Sequence, residues 1–478
     1  MAFTSPSFIL LLLAFVLVTN AFPAPLGRSV SLAGASALFI GSYLNGWLEL
    51  VPFGVFLLFG YVSVEVLRRT GSRALLLATL AMLLSAFIVL KRYSFLAPAV
   101  RLPFPYLVVG LSYVLFRLIH LMIDAQQGEL RGRIPALQFA NYCLSLLSFT
   151  AGPIQRYPEF AEQQRAFAAP SRAEVGAALA RVVKGFVKVG VASAILNYAF
   201  SALSGRLLAG QAAGSSDSFV LFWVSCVLYT AFLYANFAGY MDIVIGAGAL
   251  AGQRLPENFN QPFAAKSFLD FWSRWHMTLS NWFKTYLFNP LVKALAKRYP
   301  SGRAAPYLAV LAFFVTFMVM GLWHGTTSVF VVYGLLLAIG ASVNQAWQIF
   351  AVRRWGKQRY RQLSGLRSVQ YLSRGLTFAY FALALACLWL DLTQLLALLR
   401  GLGGVGLVTG YLGVTLGAAS CFALWDALGA VAARMRPSMP RRFPTELAQD
   451  LALAAQVLLV LSVGSFFHKA PEFVYRAF

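Results

Sequence analysis

The sequence predicts an all-α integral membrane protein on three observations. Of its 478 residues 59% are hydrophobic, only 12% are charged, and the apolar residues fall in runs long enough to cross a bilayer. An ordinary soluble domain holds roughly 45–50% apolar and about 25% charged residues. The chain has about 280 apolar residues, which at about 20 per crossing supply a dozen or so helices. A mean hydropathy of +0.70 and an aromatic content of 15% agree, because aromatic side chains collect at membrane–water interfaces. A soluble enzyme, a disordered chain and a disulfide scaffold are excluded.

Runs of spanning length lie near residues 8–24, 29–47, 50–67, 74–90, 104–123, 182–204 and 219–247, then near 307–322, 328–347, 374–398, 405–430 and 450–468. About 11–12 transmembrane helices are therefore expected, several tilted or kinked at Gly or Pro. Met1 to Ser7 is uncharged and the first basic residue, Arg28, follows the first run, so no cleaved secretory signal is expected. With Arg28 inside, the first helix starts outside. Alternation then puts Arg68, Arg69 and Arg73 inside, followed by Arg131 and Arg133, and by Lys293, Lys297, Arg298 and Arg303. The loop with Arg353, Arg354, Lys357, Arg359, Arg361, Arg367 and Arg374, and the group Arg434, Arg436, Arg441 and Arg442, also fall inside. Lys91, Arg92 and Arg101 break the pattern.

Two apolar stretches do not read as simple spans. Ala136 to Gly152 ends at Ala151-Gly152-Pro153 and precedes a basic segment from Arg156 to Lys188, which predicts a re-entrant segment. Ser267 to Leu291 carries Asp270, Arg274, His276 and Lys284 among Phe271, Trp272, Trp275, Leu279, Trp282 and Phe283 and reads as an amphipathic helix. No repeat or linker divides the chain, so one polytopic domain is expected, with residues 1–100 as N-terminal helices and 101–478 as a core holding the candidate histidines.

A net charge of +23 would suggest nucleic acid in a soluble chain. Here the basic residues sit in short loops, so no nucleic-acid partner is expected. The positive-inside rule covers most of them, and the rest suit an acidic carrier protein or the phosphates of a coenzyme on the cytoplasmic face. Cys143, Cys226, Cys387 and Cys421 lie tens of residues apart with no metal-ligand spacing; they read as small core residues, and no metal site is expected.

A general base near neutral pH is most often histidine, and there are four. His468, beside Lys469, reads as interfacial. His120, one turn before Asp124, suits a buried Asp–His bond or a helix-end contact. His324, in Gly321-Leu322-Trp323-His324-Gly325, falls at the break between two apolar runs, where flanking glycines admit close approach of backbone or substrate. The alternative is a histidine satisfied by a neighbouring carbonyl. His276 lies on the amphipathic stretch, where Asp270 and Arg274 are spaced to pair at i, i+4. Asp242 is a carboxyl inside an apolar run, either functional or paired with an internal arginine.

Four strings in order resemble the membrane-bound O-acyltransferase family: Gly239-Tyr240-Met241-Asp242-Ile243, Leu255-Pro256-Glu257-Asn258-Phe259-Asn260-Gln261-Pro262-Phe263, Asp270-Phe271-Trp272-Ser273-Arg274-Trp275-His276 and Leu322-Trp323-His324-Gly325. Ala151-Gly152-Pro153-Ile154-Gln155-Arg156-Tyr157 and Pro471-Glu472-Phe473-Val474-Tyr475 add to the likeness, which spans roughly residues 100–478. The resemblance is to the bacterial branch that acetylates alginate or transfers D-alanine to teichoic acid, and it implies that family's fold. It makes His324 the essential histidine and His276 the second one, with Asp242, Asn258, Asn260, Arg274, Trp275 and Trp323 as substrate-binding candidates. It further implies a multi-pass protein of the bacterial inner membrane, surrounded by lipid, with no permanent cofactor. The acyl donor is a cytoplasmic thioester, acetyl-CoA or the phosphopantetheine of an acyl carrier protein. The acceptor is a hydroxyl of an exported polysaccharide or an extracytoplasmic partner acyltransferase. Val292-Lys293 stands where the acetylating branch has paired glycines, and the string from Arg274 to Ser280 is as close to the D-alanyl branch. Acetyl is the first expectation and D-alanyl the second. Buried Asp242, His276 and His324 also admit a proton-coupled transporter, although no half-to-half symmetry is visible.

Overall fold

The computed structural model describes residues 5–130, 132–166, 169–209, 216–302, 305–435 and 445–466, side chains at 216, 435, 445–451 and 464–466 excepted. Arg131, Arg303, Arg436, Arg441, Arg442, His468 and the string 471–475 lie outside the described residues. In chain order the α-helices are α1 (Pro6–Ala21), α2 (Pro25–Gly41), α3 (Val51–Thr70), α4 (Arg73–Lys91), α5 (Leu111–Gln126), α6 (Ala136–Leu144), α7 (Tyr157–Arg165), α8 (Arg172–Val187), α9 (Ser193–Leu208) and α10 (Ser216–Leu250). They continue as α11 (Phe268–Trp272), α12 (Met277–Phe283), α13 (Asn289–Arg298), α14 (Ala305–His324), α15 (Val329–Gly365), α16 (Arg367–Ala384), α17 (Leu392–Met435) and α18 (Thr445–Phe466). The only extended pairing among the described residues is a single antiparallel bridge, Phe259 with Trp275.

The fold is all-α and multi-pass, as the composition requires. Seven helical segments among the described residues are long and apolar enough to cross a bilayer, namely Trp47–Thr70, Arg73–Lys91, Asp217–Leu250, Ala305–His324, Val329–Gly365, Arg367–Leu388 and Leu392–Arg434. The expected runs at 8–24, 29–47, 104–123 and 182–204 form shorter pieces. Pro25 starts α2 afresh, α5 begins only after the left-handed Gly110, and a π-helical turn at Lys188–Ala192 divides the run at 182–204. Glycine kinks α15 at Gly356 and α17 at Gly403. The turn between α3 and α4 uses ordinary stop and start chemistry. Gly71 takes a left-handed conformation after α3, and the Ser72 hydroxyl accepts from Leu75 N–H to cap α4.

The chain packs as two compact units. One holds the described residues of Met1–Val189 and Phe237–Glu257, and the other those of Gly190–Asn236 and Asn258–Pro471. In the first unit α5 is buried on nearly all sides, and with it the polar Arg117, His120 and Asp124, each of which must find a partner inside the protein. The stretch expected to be re-entrant, with its break at Ala151-Gly152-Pro153, leaves the helix earlier: α6 stops at Leu144 and the backbone runs irregularly to Tyr157. Arg117 of α5, 1% exposed, supplies the partners that this buried backbone lacks. Its guanidinium donates to the Cys143 carbonyl at 2.5 Å, and to the carbonyl and hydroxyl of Ser148, both at 2.7 Å. His120 meets Tyr142, its Nε2 2.8 Å from the Tyr142 hydroxyl. Arg156 reaches Asp124 at 3.3 Å.

In the second unit, α16 and α17 are fastened where Arg374 donates to Asp426 at 2.6 Å. Arg374 also donates to the Phe263 carbonyl at 3.1 Å and lies over the Phe422 ring. Of the four cysteines, Cys143, Cys226 and Cys387 are buried, while Cys421 is exposed on α17.

Replacing Arg117 by Leu leaves the Cys143 carbonyl buried without its donor and the Ser148 carbonyl with only the bond from Gly152 N–H at 3.3 Å. The expected result is a loss of about 1–3 kcal/mol in detergent-solubilised unfolding measurements, with the secondary structure retained in far-ultraviolet circular dichroism.

Candidate active site

The two units hold different parts of the expected site. Asp242 belongs to the first; His276, His324, Asn258, Asn260, Arg274, Trp275 and Trp323 belong to the second.

Asp242 lies on α10 between Gly239 and Gly246, which share a helix face. A Cβ at Gly239 would meet the Gly185 carbonyl and Val189, and one at Gly246 would meet Val182 and the Ala178 carbonyl. These small residues let α8 approach closely, which brings two cations onto the carboxylate. Arg181 Nε donates to Asp242 Oδ1 at 3.1 Å, and Lys188 Nζ to Oδ2 at 2.6 Å. Arg181 also grips Glu257 with two bonds of 2.6 Å. Asp242 thus has the internal arginine that a structural role requires, and a lysine besides. Arg181, Lys188 and Glu257 were not picked out from the sequence; the spacing of Arg181 and Lys188, two turns apart opposite an apolar run, was the available signal.

The stretch expected as one amphipathic helix is instead broken into α11, a turn, α12, a π-helical turn at Lys284–Phe288 and α13. The break falls at His276, which is the N-cap of α12 in the left-handed region, φ 45° and ψ 51°. A non-glycine residue is uncommon there, so something must hold it. The segment Asn258–Asn260 runs antiparallel to Arg274–Met277: Asn260 N–H donates to the Arg274 carbonyl and Met277 N–H to the Asn258 carbonyl, both at 2.9 Å. Asn258 Oδ1 then accepts from Thr278 N–H at 3.2 Å and from the Thr278 hydroxyl at 2.8 Å. Asn258 thereby satisfies the first amides of α12 from another segment, the task an N-cap side chain normally performs. The same oxygen is 3.1 Å from His276 Nδ1. Thr278 is a participant that the sequence reading missed.

Around this turn the aromatic residues form a core. Trp275, 1% exposed, stacks on Phe271 with centroids 5.5 Å apart and meets Phe381 and Phe259 edge-on, both at 5.1 Å. Such pairs contribute about 0.5–1.5 kcal/mol each beyond area burial. The structure places Trp275 as a packing residue enclosed by protein rings. Arg274 pairs with Asp270 at 2.8 Å, the i, i+4 contact expected. Asn260 uses its backbone in the pairing while its side chain stays exposed.

His324 is the last residue of α14, at the break before α15, as the sequence indicated. Of the two approaches expected at the flanking glycines, backbone or substrate, the structure shows that of backbone at Gly321. A Cβ on Gly321 would collide with the backbone of Gly334, and one on Gly325 with the ring of Phe330. Their smallness brings α14 and α15 together and seats Phe330, rather than admitting substrate. The imidazole meets Trp323 at 4.8 Å and Tyr333 at 5.6 Å between ring centroids.

Both imidazoles are enclosed, His276 at 0% and His324 at 4% exposure. They are also near enough to interact. Burial holds His276 well below the usual histidine range, and the His324 ring acts in the same direction. His276 is thus neutral in the fold. Cavities of about 510 Å³ beside Arg181 and Arg254, and of about 350 Å³ beside Tyr307 and Arg353, are lined by neither histidine.

Two outcomes follow. Gly321→Val separates α14 from α15 and is expected to cost about 1–3 kcal/mol in unfolding measurements, as overpacking does. An unfolded imidazole protonates near pH 6.5 while His276 stays neutral in the fold, so its stabilising contribution is full above about pH 6.5 and is lost as the pH falls below it. Unfolding rates measured from neutral to mildly acidic pH should rise, and His276→Gln should flatten that rise.

Comparison with known proteins matches residues 75–373 to MBOAT, the membrane-bound O-acyltransferase family. Over 275 residues the chain is 29% identical to the teichoic acid D-alanyltransferase of Bacillus subtilis (strain 168), covering 57% of this chain and 66% of that protein. It is 30% identical over 248 residues to the probable alginate O-acetylase AlgI of Pseudomonas aeruginosa, covering 52% and 44%. A shorter stretch of 133 residues is 37% identical to the peptidoglycan O-acetyltransferase of Helicobacter pylori, covering 28% and 24%. The chain spans less than two thirds of the length of these curated relatives. The family match takes in more than half of the chain, His276 and His324 included, and the chain belongs to the membrane-bound O-acyltransferase family.

Proposed function

We propose that this chain is an O-acyltransferase of the bacterial cytoplasmic membrane. In this reading it moves an acyl group from a cytoplasmic thioester to a hydroxyl of an exported cell-envelope polymer, or to a partner protein that completes the transfer. The observation that carries the reading is the pairing of two enclosed imidazoles, His276 and His324, within one unit, each positioned at a helix break.

His324 is the base. As the acceptor oxygen attacks the thioester carbonyl carbon, its proton passes to the imidazole. The tetrahedral intermediate collapses with cleavage of the C–S bond, and the proton moves on to the departing thiolate, leaving an ester and a free thiol. Base catalysis of this kind contributes on the order of 10²–10⁴ in rate, and holding the two reactants in line contributes more. The donor arm comes from the face carrying the basic loops, where an acidic carrier or a coenzyme phosphate is attracted, and passes the aromatic cover of Trp323 and Tyr333 to reach the ring. Asn258 Nδ2, buried and without an acceptor, is a donor that the carbonyl oxygen can recruit. Asp242 supports the fold through Arg181 and Lys188 in this reading.

Acetyl is the first choice of acyl group, in keeping with the acetylating relatives. D-Alanyl is the second, favoured by the longer match to teichoic acid D-alanyltransferase. Purified protein in lipid nanodiscs, offered acetyl-CoA and a D-alanyl carrier protein separately, each labelled in its acyl group, distinguishes them by which donor yields a free thiol and a labelled ester. His324→Ala is expected to lower transfer by 10²-fold or more while donor binding is kept. Unchanged transfer in that variant removes His324 as the base. Proton-coupled uptake without acyl transfer favours the transporter instead.

A further inference from the structure

The orientation of the Asn258 side chain is fixed by its neighbours. The atom 3.2 Å from Thr278 N–H must be the amide oxygen, because a backbone N–H only donates and an NH₂ group in that position would face it donor to donor. The same oxygen lies 3.1 Å from His276 Nδ1. An amide oxygen only accepts, so this bond requires a hydrogen on Nδ1. In a neutral imidazole the other nitrogen, Nε2, then carries the lone pair, since the bond made by one ring nitrogen sets the state of the other.

The arrangement is over-determined. Asn258 lies in the short antiparallel pairing that also holds His276 in its left-handed conformation, through the bond from Met277 N–H to the Asn258 carbonyl at 2.9 Å. Flipping the Asn258 amide would set its NH₂ against Thr278 N–H, donor to donor, whereas the Thr278 hydroxyl can pair with either orientation, so the backbone amide of Thr278 decides which way the group points. A non-glycine residue kept at positive φ is strained and persists where its surroundings enforce it.

We infer that Asn258 is a positioning residue that locks His276 as the Nδ1–H tautomer, so that this ring serves acyl transfer as a proton acceptor at Nε2 and not as a donor to the developing oxyanion. The chemical consequence rests on the acyl-transfer reading; the tautomer does not. A neutral His276 then relays or holds a proton beside His324, and the carbonyl oxygen must be met by another donor.

The test uses the full chain in lipid nanodiscs, labelled with ¹⁵N-histidine and read by nitrogen NMR above pH 7, with His276→Gln identifying the His276 signals. The expected result is a proton-bearing Nδ1 and a lone-pair Nε2. A proton on Nε2, or a mixture of tautomers, overturns the inference. Asn258→Asp keeps acceptors for Thr278 and Nδ1 and is expected to fold and to retain the hydrogen on Nδ1. Asn258→Leu removes the acceptor and is expected to release the tautomer, and an unchanged Nδ1–H form in that variant overturns the positioning role. Absence of transfer in the unmodified protein, with the tautomer as expected, would sink the functional reading and leave the tautomer assignment standing.

Discussion

A backbone that leaves the helix inside apolar surroundings exposes N–H and C=O groups that no water can satisfy, and each must find a partner in the protein. The two breaks that matter here are resolved in the same manner, by one polar side chain reaching across from a different segment. Arg117 satisfies the irregular backbone after α6, and Asn258 satisfies the amides at the start of α12. Without such partners both segments would be driven back into continuous helix, and His276 would ride on a helix face instead of standing at a fixed turn.

Small residues perform the complementary task. Where Gly239 and Gly246 face α8, the helices come near enough for Arg181 and Lys188 to reach Asp242. Where Gly321 faces Gly334, α14 and α15 come near enough to enclose His324 between Trp323 and Tyr333. In an apolar medium helices gain little from hiding greasy surface from one another, so close van der Waals approach decides where they touch. The charged groups are thereby spared the cost of isolation at depth.

The chemistry proposed for the site depends on keeping an imidazole neutral and correctly protonated. Burial does the first for His276, and an oriented amide does the second. These are separate devices, and the sequence string around His276 discloses neither. The packed rings of Trp275, Phe271 and Phe381 give the turn a rigid floor, which explains a tryptophan-rich segment without assigning those residues to substrate.

By itself the sequence determined the solvent, the class and the centre of attention. An apolar share of 59% admits only helices in a bilayer, and an ordered set of strings around two histidines carries the family. The break at His324 and the Asp270–Arg274 pair were also legible, because glycine and i, i+4 spacing act within a few residues. Tertiary structure decided what depends on contacts between distant segments. It gave Asp242 to Arg181 and Lys188, paired His120 with Tyr142, spent the glycines beside His324 on helix approach, and split the amphipathic stretch at His276. Hydropathy and periodicity record how a residue meets its solvent and its own helix. A hydrogen bond between Asn258 and Thr278 is settled only when the chain has folded back over twenty residues to meet itself.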